Sequence, residues 1–414
     1  MKKLYLIILC FVPLYFCSAQ NDTSSPYSLF ALGVENKTAT SGLTGLGNSG
    51  IGQRYVDAIN IYNPANLGNI QQKTFLYEFG LNGSYSVLKN QDENQSFIDG
   101  NISHVVIAFP LQKNIGLSLG LLPYTKVGYN VDIINTVEGS TDKYISRIRG
   151  NGGLNKFFIA SGFNIDNNLS LGLDFSFLFG SINQETIISY QTLTTITDNN
   201  HYTGVKFKAG LQYTLPTIKN KEITLGAIVE FPTKLSGSQI RNSYKETTSG
   251  QVTIDDNIET DLNDFELPIA YGFGVSSKLN NFITTNLDFK RLHWNSTNQY
   301  QNNERYINQN IYALGLEYTP LNKLNTKIWN RMKYRFGINY NTGFLNISKT
   351  KIDSYFTSFG LGIPLSKYKN DWLNISYSYG KEGTTYNNLI QENFHKITLN
   401  LNFVGKWFAE RKID

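Results

Sequence analysis

The sequence predicts an all-β fold: a transmembrane antiparallel β-barrel of about 14 strands with an N-terminal lumen plug, or hatch. Three observations predict it. Apolar and polar residues alternate with period two from about residue 73 onward. Short and long polar connections take turns along the chain. The 414 residues include 26 Tyr, 26 Phe and 35 Gly, and only 17% are charged, where globular chains average about a quarter. Aromatics, Gly and Asn without Ala- and Glu-rich stretches suit twisted strands and tight turns rather than helices.

Residues 1–19 read as a signal peptide. Lys2 and Lys3 give a positive start, residues 4–16 are almost wholly apolar, and Cys17-Ser18-Ala19 places small residues before Gln20. A lipid-modified Cys17 is the rival reading, disfavoured by the bulky Phe16 before it. Both cysteines, Cys10 and Cys17, fall in this segment, so the mature chain has no thiol, disulfide or Cys metal site. Removing Lys2 and Lys3 lowers the net charge from +5 to +3 (5 − 2). A balance that mild, without a basic run, excludes a nucleic-acid partner.

Residues 20–72 are polar and Gly-rich, with too little apolar content for a domain of their own. They read as a hatch folded back into the lumen, or as a disordered tail. Residues 73–404 carry the barrel. Leu169, Leu171, Leu173, Phe175 and Phe177 alternate with Ser170, Gly172, Asp174 and Ser176. Val205, Phe207, Ala209, Leu211 and Tyr213 face Lys206, Lys208, Gly210 and Gln212. The last strand sets Ile397, Leu399, Leu401 and Phe403 against Lys396, Thr398, Asn400 and Asn402. A soluble β-sandwich or solenoid would also alternate. The connections argue against it: short ones near 111–114, 166–168, 216–221, 279–281, 319–331 and 364–371 intercalate with long polar ones near 89–97, 126–151, 184–202, 233–265, 293–307, 343–352 and 381–392. Short periplasmic turns and long outer loops are the barrel pattern, and no apolar run after residue 19 is long enough for a spanning helix. The chain is therefore expected in the bacterial outer membrane, bathed in its lipid. Residues 405–414 form a periplasmic tail in which Trp407 and Phe408 are an interfacial anchor or a contact for another protein.

Motifs for chemistry are sparse. Gly45-Leu46-Gly47-Asn48-Ser49-Gly50 matches a dinucleotide fingerprint in form, but no βαβ unit surrounds it, and close backbone packing in a plug is the better reading. His104, His201, His293 and His395 are scattered without metal-ligand or triad spacing. No catalytic residue, metal or cofactor is expected, and the chain does not read as an enzyme.

One stretch carries a family likeness. The run 45–67, with its glycines, then Asp57-Ala58, then Asn63-Pro64-Ala65, resembles the hatch of the FadL-type outer-membrane transporters. Glu266-Leu267-Pro268, Gly272, Gly274, Leu287-Asp288-Phe289 and Trp294 are similar to the same family, and both chain ends look like those of related barrels with periplasm-facing termini. The resemblance implies passive transport of a small hydrophobic or amphipathic cargo, with Asn63, Pro64 and Ala65 gating the ligand path and lateral release into the membrane. One departure is plain: many lumen-facing positions are Asn, Ser, Lys and Gly, and no greasy binding site is evident. A second reading, of another class, is a non-transporting barrel that serves as a subunit of an outer-membrane assembly or secretion complex, in contact with other outer-membrane proteins. A third is a barrel hydrolase. Apolar lumen residues with a break in the wall would favour transport, a lumen closed by polar contacts the subunit, and a His paired with Ser or Asp at the outer rim the hydrolase.

Overall fold

A computed structural model describes residues 25–216, 222–299, 305–320, 327–366 and 370–406. The signal peptide and the tail from 407 on, with Trp407 and Phe408, lie outside the described residues. The chain starts with a short strand β1 (Val34–Glu35) and 3-10 turns at Pro26–Leu29, Leu43–Leu46 and Pro64–Asn69. The barrel follows: β2 (Thr74–Lys89), β3 (Asn94–Gln112), β4 (Ile115–Pro123), β5 (Thr125–Thr136), β6 (Lys143–Asn164), β7 (Leu169–Tyr190), β8 (Thr192–Thr214), β9 (Glu222–Glu230), β10 (Thr233–Thr247), β11 (Gly250–Leu267), β12 (Ala270–Lys278), β13 (Ile283–Leu292), β14 (Gln309–Tyr318) and β15 (Lys333–Asn341). A small hairpin, β16 (Asn346–Ile347) and β17 (Thr350–Lys351), precedes β18 (Ser354–Pro364), β19 (Trp372–Glu382) and β20 (Gln391–Lys406).

All neighbours pair antiparallel, and the sheet closes where β2 meets β20, from Thr74 opposite Lys406 to Lys89 opposite Gln391. β4 and β5 are one strand bent at Tyr124. Likewise β9 and β10 bend at Phe231-Pro232, and β11 and β12 at Pro268-Ile269, where a missing N–H interrupts the ladder. Counted that way, fourteen strands cross, as predicted.

The alternation reads out as two faces. Leu173 (61% exposed), Phe175, Phe207, Leu287, Phe359 and Ile397 point outward, while Ser170, Asp174, Ser176, Lys206, Lys208 and Asn400 are buried in the lumen. Exposed apolar side chains on a closed barrel are stable only against lipid, which places the chain in the outer membrane. Tyr85, Tyr312, Tyr340, Tyr355 and Tyr379 form an exposed belt toward the outer ends of their strands, and Tyr77, Tyr318, Trp329 and Phe403 one toward the periplasmic turns, as interfacial girdles do.

Two expectations need correction. The polar stretches 126–151, 184–202 and 233–265 are not loops. They are the upper parts of hairpins β5–β6, β7–β8 and β10–β11, which turn only near 137–142, at Gln191 and near 248–249. Water on both faces removes the apolar alternation by which a strand is recognised, so they read as loops. β6, β7 and β8 run 22, 22 and 23 residues, against about 10 needed to cross lipid. The surplus stands above the membrane as a wall of β5, β6, β7, β8, β10 and β11. The second correction concerns the first described residues, from Ser25 on, which lie at the outer end of the barrel and not at the periplasm. Tyr27 donates from its hydroxyl to Ile390 O (2.5 Å) in an outer connection, and Ser28 Oγ donates to Gly128 O on β5. The segment enters from the outer end and descends to Gln72, whose side chain donates to Gln112 O at a periplasmic turn.

Candidate functional site: the filled lumen

Residues 25–72 occupy the lumen, and the barrel wall is fitted to them. Nine inward-facing glycines, one on each of nine strand segments, lie so close that a Cβ on any of them would fall within 3.0 Å of an atom of this segment. They are Gly116, Gly162, Gly172, Gly210, Gly226, Gly274, Gly315, Gly337 and Gly360, and they meet, in that order, Leu67, Gly68, Ala65, Asn63, Ile51, Ile51, Ser49, Gly47 and Gly45. Glycine sits at these places because only a missing side chain lets two backbones touch.

Polar groups then fasten the ring. Glu78 on β2 accepts from Ser41 N (2.5 Å), Ser41 Oγ (2.9 Å), Asn402 Nδ2 (2.5 Å) and, at 3.1 Å, the ring of His104. Asp288 on β13 accepts from the backbone N–H of Gly50 (2.6 Å) and Ile51 (2.9 Å). Asn339 Nδ2 donates to Gly47 O, Gln212 Nε2 to Ile51 O, Lys208 Nζ to Ile61 O, and Asn400 Nδ2 to Ala39 O. Each satisfies backbone that the irregular segment cannot pair within itself.

The Gly45-to-Gly50 motif packs backbone against the wall. Gly47 has φ +67° and stacks on β15. Asn63, Pro64 and Ala65 sit beside β7 and β8. Asn63 Oδ1 caps the following turn by accepting from Ala65 N (3.1 Å), and its Nδ2 donates to Ile51 O (2.9 Å) and to Leu211 O (3.0 Å) on the wall.

Charges fill the space between. Lys156 and Lys208 flank Asp174 (3.2 and 3.4 Å), Lys206 and Lys290 flank Glu230 (2.8 and 2.7 Å), and Arg335 pairs with Glu317 (2.7 Å). Lys156, Asp174, Lys206, Lys208, Glu230 and Lys290 line a cavity of about 100 Å³ together with Ile61, Tyr62, Leu122, Tyr124 and Phe158. The alternation in sequence sets Lys206 and Lys208 on the lumen face but does not single out Lys156 or Lys290, and it pairs none of them, since the partners lie on different strands. An available signal was a charge at membrane height, which is costly unless paired.

Apolar packing caps the outer end. Leu32, Leu235, Leu267, Leu292, Trp294, Tyr306 and Leu345 are buried together, with Trp294 stacked on Phe344 at 4.8 Å. The cavity there is about 80 Å³, and Glu35, Lys37, Lys206 and Glu230 are among its lining. For scale, a dry cavity of about 150 Å³ accepts benzene.

Among the described residues the wall opens between β3 and β5. β3 pairs with β4 only from Val105 to Gln112, and above that β5 has β6 on one edge and only β1 on the other, Val34 opposite Lys126 and Glu35 opposite Thr125. The Lys126–Asp99 ion pair (2.5 Å) bridges the gap, and Asn82, Asn101, Glu382, Glu392 and Lys396 line the cavity of about 170 Å³ behind it.

The histidines make no metal site among the described residues. Ser103, His104 and Glu78 stand in line (3.1 and 3.1 Å), but at 0–2% exposure they meet no substrate and hold Ser41 instead. Ser181 Oγ lies 2.8 Å from His201 Nδ1 on the outer wall, with no orienting carboxylate described beside it. His293 meets the Tyr271 hydroxyl (2.8 Å), and His395 that of Tyr377 (2.7 Å).

Solved structures share this fold. The toluene transporter TodX of Pseudomonas putida superposes with a TM-score of 0.63 at 14% identity, over 92% of this chain and 100% of that one. A FadL homologue of Pseudomonas aeruginosa gives 0.63 at 12% identity, over 91% and 100%. The monoaromatic hydrocarbon channel CymD gives 0.60 at 15% identity, over 91% and 100%. The architecture is that of the FadL-type barrels. No curated protein matches the sequence. The profile of one family, BamG, matches residues 1–414, the entire sequence. The chain belongs to the BamG family.

Proposed function

We propose that this protein is a closed, non-transporting barrel that serves as a subunit of an outer-membrane protein assembly. The observation that carries the reading is the fit of residues 45–68 to the ring of wall glycines, fastened by buried carboxylates and amides. The segment is set tightly into the lumen, and two of the cavities beside it carry buried charged side chains, while the one under the outer cap is lined mainly by apolar residues. To go further down, past the small cavity under the apolar cap, a hydrophobic cargo would trade water for lysines and carboxylates, a transfer with little to gain. With the lumen closed, the surfaces remain. The wall above the lipid ends in free strand edges, which barrels otherwise abolish and which invite a partner.

The runner-up is passive transport of a small hydrophobic molecule, in which Asn63, Pro64 and Ala65 would gate the path. The gap between β3 and β5 and the fold shared with a toluene transporter favour it. Native mass spectrometry of the tagged protein, gently purified from outer membranes, separates the two. A stoichiometric particle with other outer-membrane proteins and an empty lumen supports the subunit. A lone barrel carrying a lipid-like ligand reverses the order.

A further inference from the structure

β11 is the free edge of the outer wall. It pairs with β10 along one side, from Leu267 opposite Thr233 to Gly250 opposite Thr247. On the other side Asn298 covers the lower end, its Nδ2 donating to Asp264 O (3.0 Å) and its N–H to the Glu266 carboxylate (2.8 Å), and among the described residues 250–263 have no strand partner there. All but the lowest residues of β11 stand above the lipid. β10 pairs with Thr194 to Gly204 of β8, beyond the outward apolar run Val205 to Tyr213 that marks membrane height on that strand. The β11 strand runs 18 residues, and the open stretch 250–263 is 14 of them (263 − 250 + 1).

Its composition is one-sided. Residues 250–267 hold six carboxylates and no Lys or Arg. Asp255 and Glu266 are engaged, by Ser243 Oγ (2.5 Å) and by Lys234 (3.5 Å). No ion pair is described for Glu259, Asp261 or Asp264. Between them Val252, Ile254 and Ile258 are 52%, 58% and 48% exposed, in a place where no lipid covers them. An edge kept single by charge alone has no use for three exposed β-branched side chains. Apolar surface to bury, backbone groups to pair and one sign of charge to choose the partner are together what strand addition requires.

We propose that the outer edge of β11 receives an extended segment of a cell-surface or outer-membrane partner protein bearing Lys and Arg, added as a further strand. The inference rests on the subunit reading. A second copy of this chain is excluded as occupant by its own charge, since pairing β11 with β11 sets carboxylates opposite carboxylates.

Two measurements on the full-length protein test it. In detergent, a labelled eight-residue peptide alternating Lys and Val should bind, and amide exchange should slow across 250–267. A Glu–Val peptide of the same length should not bind. The triple variant Glu259→Gln, Asp261→Asn, Asp264→Asn should bind the Lys–Val peptide about tenfold more weakly, as removing a cluster of complementary charges does. Equal affinity for both peptides, or protection elsewhere than 250–267, overturns the proposal. In native outer membranes, a photo-crosslinking residue at Thr260 should attach to a Lys/Arg-bearing extended segment of a co-purifying protein. A particle with partners whose Thr260 crosslinks map only to lipid overturns the edge proposal and leaves the subunit reading standing. A crosslink to β11 of a second copy overturns the choice of occupant. A lone barrel removes the subunit reading and this proposal with it.

Discussion

The fit between wall and plug can be tested with one methyl group. Gly337 on β15 faces Gly47, and a Cβ built on it lies 2.7 Å from Gly47 Cα, with Gly47 N and Leu46 C closer still. Ordinary contact starts at 3.4 Å and Gly47 N would lie at 1.9 Å, so Gly337→Ala forces the two backbones apart by about 1.5 Å (3.4 − 1.9). Neither side can yield by changing a rotamer, because every crowded atom is main chain. The Gly47 N–H also donates to Ser358 Oγ (3.0 Å) and its carbonyl accepts from Asn339, so the shift strains two hydrogen bonds. Overpacking of this kind costs about 1–3 kcal/mol. More than ten buried hydrogen bonds tie the segment to the wall, at about 1 kcal/mol each, so one methyl should loosen the plug without expelling it. The assay is urea unfolding of the detergent-solubilised barrel, together with tryptic cleavage after Arg54. Gly83→Ala is the control, because nothing lies within 4 Å of a Cβ there. Gly337→Ala should lower the unfolding midpoint and speed cleavage, and Gly83→Ala should do neither. If the two variants behave alike, the plug is not pressed against the wall and the case for a closed lumen fails.

Glu78→Ala leaves Ser41, His104 and Asn402 without their shared acceptor. Each buried donor so stranded costs about 1–3 kcal/mol, so the urea midpoint should drop, and less for Glu78→Gln. Asn63→Ala removes a cap and the wall bond to Leu211, together about 2 kcal/mol, and should expose Arg54 to trypsin. In planar bilayers the intact protein should pass no steady current, and a variant lacking residues 26–72 should conduct; current through the intact protein would favour transport. At the periplasmic turn, the backbone N–H groups of Leu169 and Asn168 hold the Asp166 carboxyl below its usual pKa. A depressed folded pKa stabilises above the unfolded value of about 3.9 and is lost as pH falls through the folded one. Protection of the Leu169 amide should therefore hold at neutral pH and collapse in acid, and Asp166→Asn should abolish that dependence.

How much was legible follows from where each signal lives. The membrane-height strands were, because lipid outside and polar contacts inside force alternation on every residue of segments such as 169–177 and 397–403. The upper halves of β7 and β8 were not, because water on both sides erases the pattern. The plug was legible only as an anomaly, a polar Gly-rich stretch without a core. Its counterpart was hidden: Gly226 and Gly337 sit among small residues of ordinary barrel strands and gain meaning only when Ile51 and Gly47 are seen against them. Asp288 had been noted in a family stretch, yet its two bonds to Gly50 and Ile51 join residues 237 and 238 positions apart, a distance no local pattern spans.

The gap beside β5 and the filled lumen look contradictory in a barrel, yet one chain segment accounts for both. Where β3 and β5 part, the freed edge of β5 would leave backbone groups unpaired at the rim of the lipid, at a cost of several kcal/mol per group. β1 takes that edge at Val34 and Glu35, Asn36 N donates to Tyr124 O (2.9 Å), and Lys126 reaches Asp99 across the opening. The plug therefore acts as the missing length of strand at the bend. An opening that the plug itself completes is no free exit: a cargo would have to displace β1 and break the Lys126–Asp99 pair to use it. The same bend does one further thing. By releasing β5 from β3, it lets β5 and β6 rise with β7, β8, β10 and β11 as an open sheet instead of a closed ring, and an open sheet is what gives β11 its free edge. A break in the wall that reads as a transport feature at membrane height is, above the membrane, the origin of the docking surface.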